Sequence, residues 1–142
     1  MTENEFDHFL EAQPPVFAQV VQELSHGQKR SHWMWFIFPQ LPGLGQSTMA
    51  RRYAIDSLEQ ARRFAAHPVP GERLRQCTHL VCEVKNRDLS DIFGYPDDLK
   101  FHSSMTRFAL AVPEEPLFTL ALQKYFQGQK DTKTIELLGL KA

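Results

Sequence analysis

The stretch Arg30-Ser31-His32-Trp33-Met34-Trp35-Phe36-Ile37-Phe38-Pro39-Gln40-Leu41-Pro42-Gly43-Leu44-Gly45-Gln46-Ser47 limits what this chain can fold into more than any other. Four of the six residues at 33–38 are aromatic. On a solvated surface such a run makes a large apolar patch, so most of it belongs in the core. Arg30 and His32 stand at one end of it; at the other, Pro39 breaks the run and the chain enters a loop with Gly43 and Gly45. Polar groups flanking buried rings suit a pocket, where apolar walls stack a flat ligand and a few polar groups orient it.

The 142 residues fit one domain, 1–142, long enough to bury its own core. A formal net charge of −1 supplies no basic field for a nucleic-acid backbone, so nucleic acid is not an expected partner. No apolar run is long enough to span a membrane, and Met1-Thr2-Glu3-Asn4-Glu5 is acidic where a signal peptide is basic. A soluble, cytoplasmic protein is expected. Cys77 and Cys82, five residues apart on a helix, point to different sides and read as buried reduced thiols. The six histidines are scattered without ligand spacing, and neither a metal nor a cofactor is expected.

Hydrophobic periodicity predicts helices throughout. Phe6, Phe9 and Leu10 form a first turn; Val16, Phe17, Val20, Val21 and Leu24 line a helix that starts near Pro15 and stops at Gly27. Ser31 reads as the N-cap of a short buried helix ending before Pro39, with a buried strand as the competing state. Ser47 caps a helix to about Ile55, and Ser57-Leu58-Glu59-Gln60 reads as a capping box. Leu74, Cys77, Val81 and Val84 stripe the helix begun by Pro70. Asp88 and Asp91 look like caps around a turn at Leu89, Ile92 and Phe93. Asp97 and Asp98 open the next helix, where the positive end of the helix dipole favours carboxylates. On that helix Phe101, Met105, Phe108 and Val112 face one way, and Asp97, Lys100, Ser104 and Arg107 form a second stripe on a different face. Helices at 114–126 and from Asp131 or Thr132 follow. The reading is one all-α domain of about eight short helices.

Three groups carry candidate chemistry. Gly43 and Gly45, leading to Ser47 at a helix start, can present backbone N–H groups to a diphosphate; a plain tight turn is the other reading. Arg30 and His32 beside Trp33 and Trp35 suit a phosphate and a stacked base, against a surface Arg next to a core His. Asp97-Asp98-Leu99-Lys100, with Ser103 and Ser104, places carboxylates near an ammonium and hydroxyls, as general bases in glycoside hydrolysis require. An exposed Asp97–Lys100 pair at a helix N-terminus is the competing explanation.

The first block, together with Phe93-Gly94-Tyr95-Pro96-Asp97-Asp98-Leu99-Lys100-Phe101-His102-Ser103-Ser104-Met105-Thr106, resembles the uncharacterised bacterial domain-of-unknown-function family 1810, sometimes mislabelled calpastatin. The resemblance covers nearly the whole chain and implies a compact all-helical fold with a ligand site built from the two blocks. The order Ser47…Ala50…Tyr53, Asp97…Lys100…Met105, Phe118…Leu122…Asp131 is also distantly similar to the NAD- and ADP-ribose-linked helical N-glycosidases. Here Thr48-Met49 follows the serine where those proteins usually carry an acidic residue.

The expected function is binding of a nucleotide- or ADP-ribose-type ligand, with N-glycoside hydrolysis as its enzymatic form. Arg30, Gly43 and Gly45 would hold phosphate, Trp33 or Trp35 would stack the base, and Asp97 or Asp98 would serve the reaction centre with Lys100 orienting it. The alternative is a protein-interaction module that docks a partner through the aromatic segment 33–38.

Overall fold

Four of the helix starts among the described residues are set by short polar side chains that satisfy the first free amides. Ser47 accepts from the Ala50 amide, Ser57 from Gln60, and Asp131 from Thr134, while Asp88 and Asp91 close a capping box. The Gln60 side chain reaches back one residue further than in a standard box, accepting from the Asp56 amide at 2.7 Å. In the computed structural model, which describes residues 5–40 and 47–139, these starts give an all-α fold with no strand among the described residues.

The helices are α1 (Asp7–Ala12), α2 (Pro14–Ser25), α3 (Met34–Ile37), α4 (Thr48–Arg52), α5 (Leu58–Ala66), α6 (Pro70–Glu83), α7 (Leu89–Phe93), α8 (Asp97–Ala111), α9 (Pro116–Phe126) and α10 (Thr132–Leu137). That is ten among the described residues, two more than the periodicity predicts, because single turns such as α1 and α7 close as helices. None is long and apolar enough to cross a membrane.

α8 runs through the middle, packed on α9, α5, α7 and α10, and α6 packs on α9, α2 and α5. Rings fill the space between them. Phe108 meets Phe64 and Phe118, and Phe101 meets Phe38 and Phe93 at centroid distances of 5.1 and 5.0 Å. α5 and α6 touch so closely that a Cβ on Gly71 would lie 2.3 Å from the Ala65 carbonyl oxygen.

Residues 33–38 take the helical alternative, but only as one turn, and its cap is not Ser31. Ser31 is instead drawn to Glu23, a carboxylate on the inner side of α2 with 4% of its surface exposed. Glu23 accepts from the Arg30 amide (2.7 Å), the Ser31 amide (3.1 Å) and hydroxyl (2.7 Å), the Trp33 indole (2.9 Å) and the Gln19 carboxamide (2.7 Å). With Gln28 N–H on the Glu23 carbonyl and Lys29 N–H on the Ile92 carbonyl, all four amides from 28 to 31 are tied down. Burial alone would raise the Glu23 pKa, but the donors from Ser31, Arg30, Trp33 and Gln19 together outweigh it and hold it at about 2.

Two other expectations are corrected inside the bundle. The polar stripe on α8 does not stay on one wet face: Asp97 and Lys100 are partly exposed, whereas Ser104 and Arg107 are fully buried, because only the first turn of the helix projects beyond its neighbours. The Arg107 guanidinium donates to the carbonyls of Ile55 and Pro39, fastening two stretches of irregular chain to α8. Burial lowers its pKa to about 9, with Asp56 opposing, so it remains a cation at neutral pH. Cys77 is buried as expected, with its thiol pushed up to about 12 by burial, but Cys82 is only half-buried.

Glu23 titrates below its ordinary value of 4.5, so its stabilisation is complete above that pH and fades as pH falls towards 2. Chemical denaturation at pH 7 should find Glu23→Gln less stable than wild type by about 3 kcal/mol, and the difference should shrink steadily between about pH 5 and pH 2. A gap independent of pH would contradict this assignment. Gly71→Ala should cost about 3 kcal/mol, since the new methyl meets rigid backbone rather than a side chain that can swing away; an unchanged melting temperature would mean that α5 and α6 are further apart.

Candidate functional site

The pinned segment 29–32 and the first turn of α8 face each other across a cleft of about 300 Å³. One wall is built by the Schellman-type turn that ends α2, where Gly27 takes a φ of +73° and the Gln28 amide reaches back to Glu23. The other begins at Gly94, whose φ of +75° ends α7 and turns the chain into Tyr95, Pro96 and α8. Met34 and the half-buried Trp35 close the cleft between them.

Charge is concentrated here. Asp97 is bonded to Lys29 at 2.7 Å and faces Lys100 at 3.5 Å. The Lys29 side chain is only 7% exposed and its Nζ lies 5.2 Å from the centre of the Trp33 ring; the Lys100 Nζ lies 5.6 Å from that of Trp35. Arg30 reaches the rim, where it donates to Gln28 at 3.1 Å. His32 is exposed on the same rim, and Tyr95 stands 81% exposed beside it. Among the described residues, three cations, one carboxylate and the rings of His32, Trp35 and Tyr95 thus line one concave surface.

The cleft brings together five of the predicted site residues: Arg30, His32, Trp35, Asp97 and Lys100. It excludes others. Trp33 is fully buried with its indole N–H on Glu23, so it supports the wall from within and cannot stack a ligand. Asp98 points away, accepting from the Leu99 amide at 2.9 Å and lining a separate surface groove with Arg87 and Lys124. Successive helix positions diverge by roughly a quarter turn, which is why adjacent aspartates do not share a site.

Ser47 is the exposed cap of α4 and is not part of the cleft. Ser103 is buried against Thr134 of α10, hydroxyl to hydroxyl at 2.5 Å. Ser104 is buried one turn before Arg107, its hydroxyl without a partner. Both serines therefore face the bundle interior. Gly43 and Gly45 lie outside the described residues.

The segment 33–38 also fails as a docking surface. Trp33, Met34, Phe36, Ile37 and Phe38 are all buried, and only Trp35 reaches solvent. The rings are needed by Phe93, Phe101 and Tyr53, which pack on them.

Glu23, Lys29 and Tyr95 are the residues that sequence reasoning passes over. A signal for Glu23 exists: it sits three residues after Val20 and next to Leu24 on the apolar side of an amphipathic helix, where a carboxylate requires donors. Lys29 and Tyr95 have no such mark, since an isolated Lys in a connector and a Tyr before Pro are ordinary surface residues.

Residues 3–138 match the family described as a protein of unknown function, DUF1810. The fold is similar to the crystal structure, at 1.38 Å, of the conserved hypothetical protein Rv1873 from Mycobacterium tuberculosis. The two share 49% identity with a TM-score of 0.93, over 96% of this chain and 98% of that one. No curated protein matches. With almost its whole length matched, the chain belongs to the DUF1810 family.

Proposed function

We propose that the cleft between 29–35 and 95–100 binds a small anionic ligand with a planar ring, of the nucleotide or ADP-ribose class. The carrying observation is that two segments more than sixty residues apart deliver Arg30, Lys29 and Lys100 to one concave surface walled by Trp35 and Tyr95. Guanidinium and ammonium groups match phosphate oxygens, and exposed aromatic faces stack bases. The wall carrying Arg30 is held by main-chain and Glu23 hydrogen bonds, so ligand binding has little ordering of the wall to overcome.

N-glycoside hydrolysis is the second reading, and Asp97 favours it as the one carboxylate on the cleft wall among the described residues. A carboxylate beside the ribose stabilises the oxocarbenium character of such a transition state, and Lys29 and Lys100 hold Asp97 in place for it.

Thermal unfolding in the presence of NAD, ADP-ribose and AMP tests the binding reading. At a ligand concentration a hundredfold above Kd the melting temperature should rise by about 5–10 °C. Lys100→Ala should remove most of that rise while altering the unliganded melting temperature by only about 2 °C, since its partly exposed pair with Asp97 contributes little to stability. Flat curves for all three compounds end the binding reading. Release of nicotinamide from NAD, leaving ADP-ribose, or of adenine from AMP, leaving ribose 5-phosphate, abolished by Asp97→Asn, would separate turnover from binding alone.

A further inference from the structure

Arg30 is shared by two hollows. On its far side from the cleft lies a second groove of about 480 Å³, lined by the carboxamides of Gln19, Gln22 and Gln28, by His26, and by Arg87. Among the described residues no Trp, Tyr or Phe lines this groove, so it is less suited to a base than to a strongly hydrated group. Glu23 also reaches it, but its oxygens are already taken by five donors and it is almost wholly buried.

The cations facing the groove are less committed. Arg87 makes no hydrogen bond or ion pair among the described residues, and its aliphatic stem rests on Gly27, where a Cβ would come 3.2 Å from the Arg87 Cδ. Cleft and groove together are lined by Lys29, Arg30, Arg87 and Lys100 against the carboxylates of Asp97 and Glu23, with Lys29 nearly buried on Asp97, in a chain whose formal net charge is −1.

We infer that the two hollows form one bipartite site whose ligand is a nucleoside diphosphate or its ester: the ring lies in the cleft, and the phosphate chain passes over Arg30 to the guanidinium of Arg87. The inference rests on the binding reading above and sharpens it, because a nucleoside monophosphate fills the first hollow only. Planar guanidiniums accept phosphate oxygens in pairs, and the carboxamides donate to those that remain. Arg87 lies outside the cleft, so it discriminates chain length without touching the ring.

Calorimetric titration of the full chain with AMP and ADP tests this, using wild type, Arg87→Ala, and Lys133→Ala, which removes a charge on α10 that lines neither hollow. Wild type and Lys133→Ala should bind ADP at least about tenfold more tightly than AMP. Arg87→Ala should reduce that preference to about twofold or less while leaving the AMP affinity unchanged. Equal affinity for AMP and ADP in wild type, or an Arg87→Ala variant that keeps the preference, overturns the bipartite site and leaves the single cleft standing. Failure of wild type to bind either nucleotide overturns both.

Discussion

A single carboxylate with five donors holds the cleft-bearing face of this molecule in shape. Glu23 gathers the main chain of Arg30 and Ser31, the Ser31 hydroxyl, the Trp33 indole and the Gln19 carboxamide around one buried negative charge. Removing a carboxylate from water is costly, and only a nearly complete set of hydrogen bonds makes it favourable. The loop after α2 therefore has one low-energy arrangement. That arrangement sends Trp33 inward as a strut and leaves Arg30 and His32 at the surface, with Lys29 turned onto Asp97.

α8 serves two purposes along its length. Its first turn, ahead of the bundle, carries Asp97 and Lys100 into the cleft; its middle turns carry Phe101, Met105 and Phe108 into the densest part of the core. Between these tasks lies Arg107, whose buried guanidinium bonds to the Pro39 and Ile55 carbonyls. Both carbonyls belong to irregular chain, and among the described residues no backbone amide is bonded to either, so a side-chain donor serves them. The same helix thus anchors the core, the chain at Pro39 and at Ile55, and one wall of the cleft, and a shift of α8 would disturb all three together.

Much of this was legible in the sequence, for particular reasons. Helical spacing of apolar residues and the Ser47, Ser57, Asp88 and Asp131 caps located the elements, because both signals act within a few residues of chain. The aromatic density of 33–38 marked the core, and the polar residues at Arg30, His32, Asp97 and Lys100 marked the cleft. What was illegible is direction. Nothing local tells whether a side chain at the edge of a buried run points in or out, so Trp33 and Trp35 looked interchangeable, as did Asp97 with Asp98, and Ser103 and Ser104 looked open to the site although both are buried. Glu23 was hidden for the converse reason: four of its five donors come from seven to ten residues away, and a charged residue on an amphipathic helix is by default read as solvated.

Amide hydrogen exchange at Arg30 and Ser31 tests the role of this carboxylate most directly. The structure predicts that in the wild-type protein both amides are protected to nearly the level of the α8 core amides, and that Glu23→Ala releases these two while the α8 amides remain slow. Fast exchange of Arg30 and Ser31 in the wild-type protein would mean that the wall is not held by Glu23, and the account of a pre-shaped cleft would fall with it.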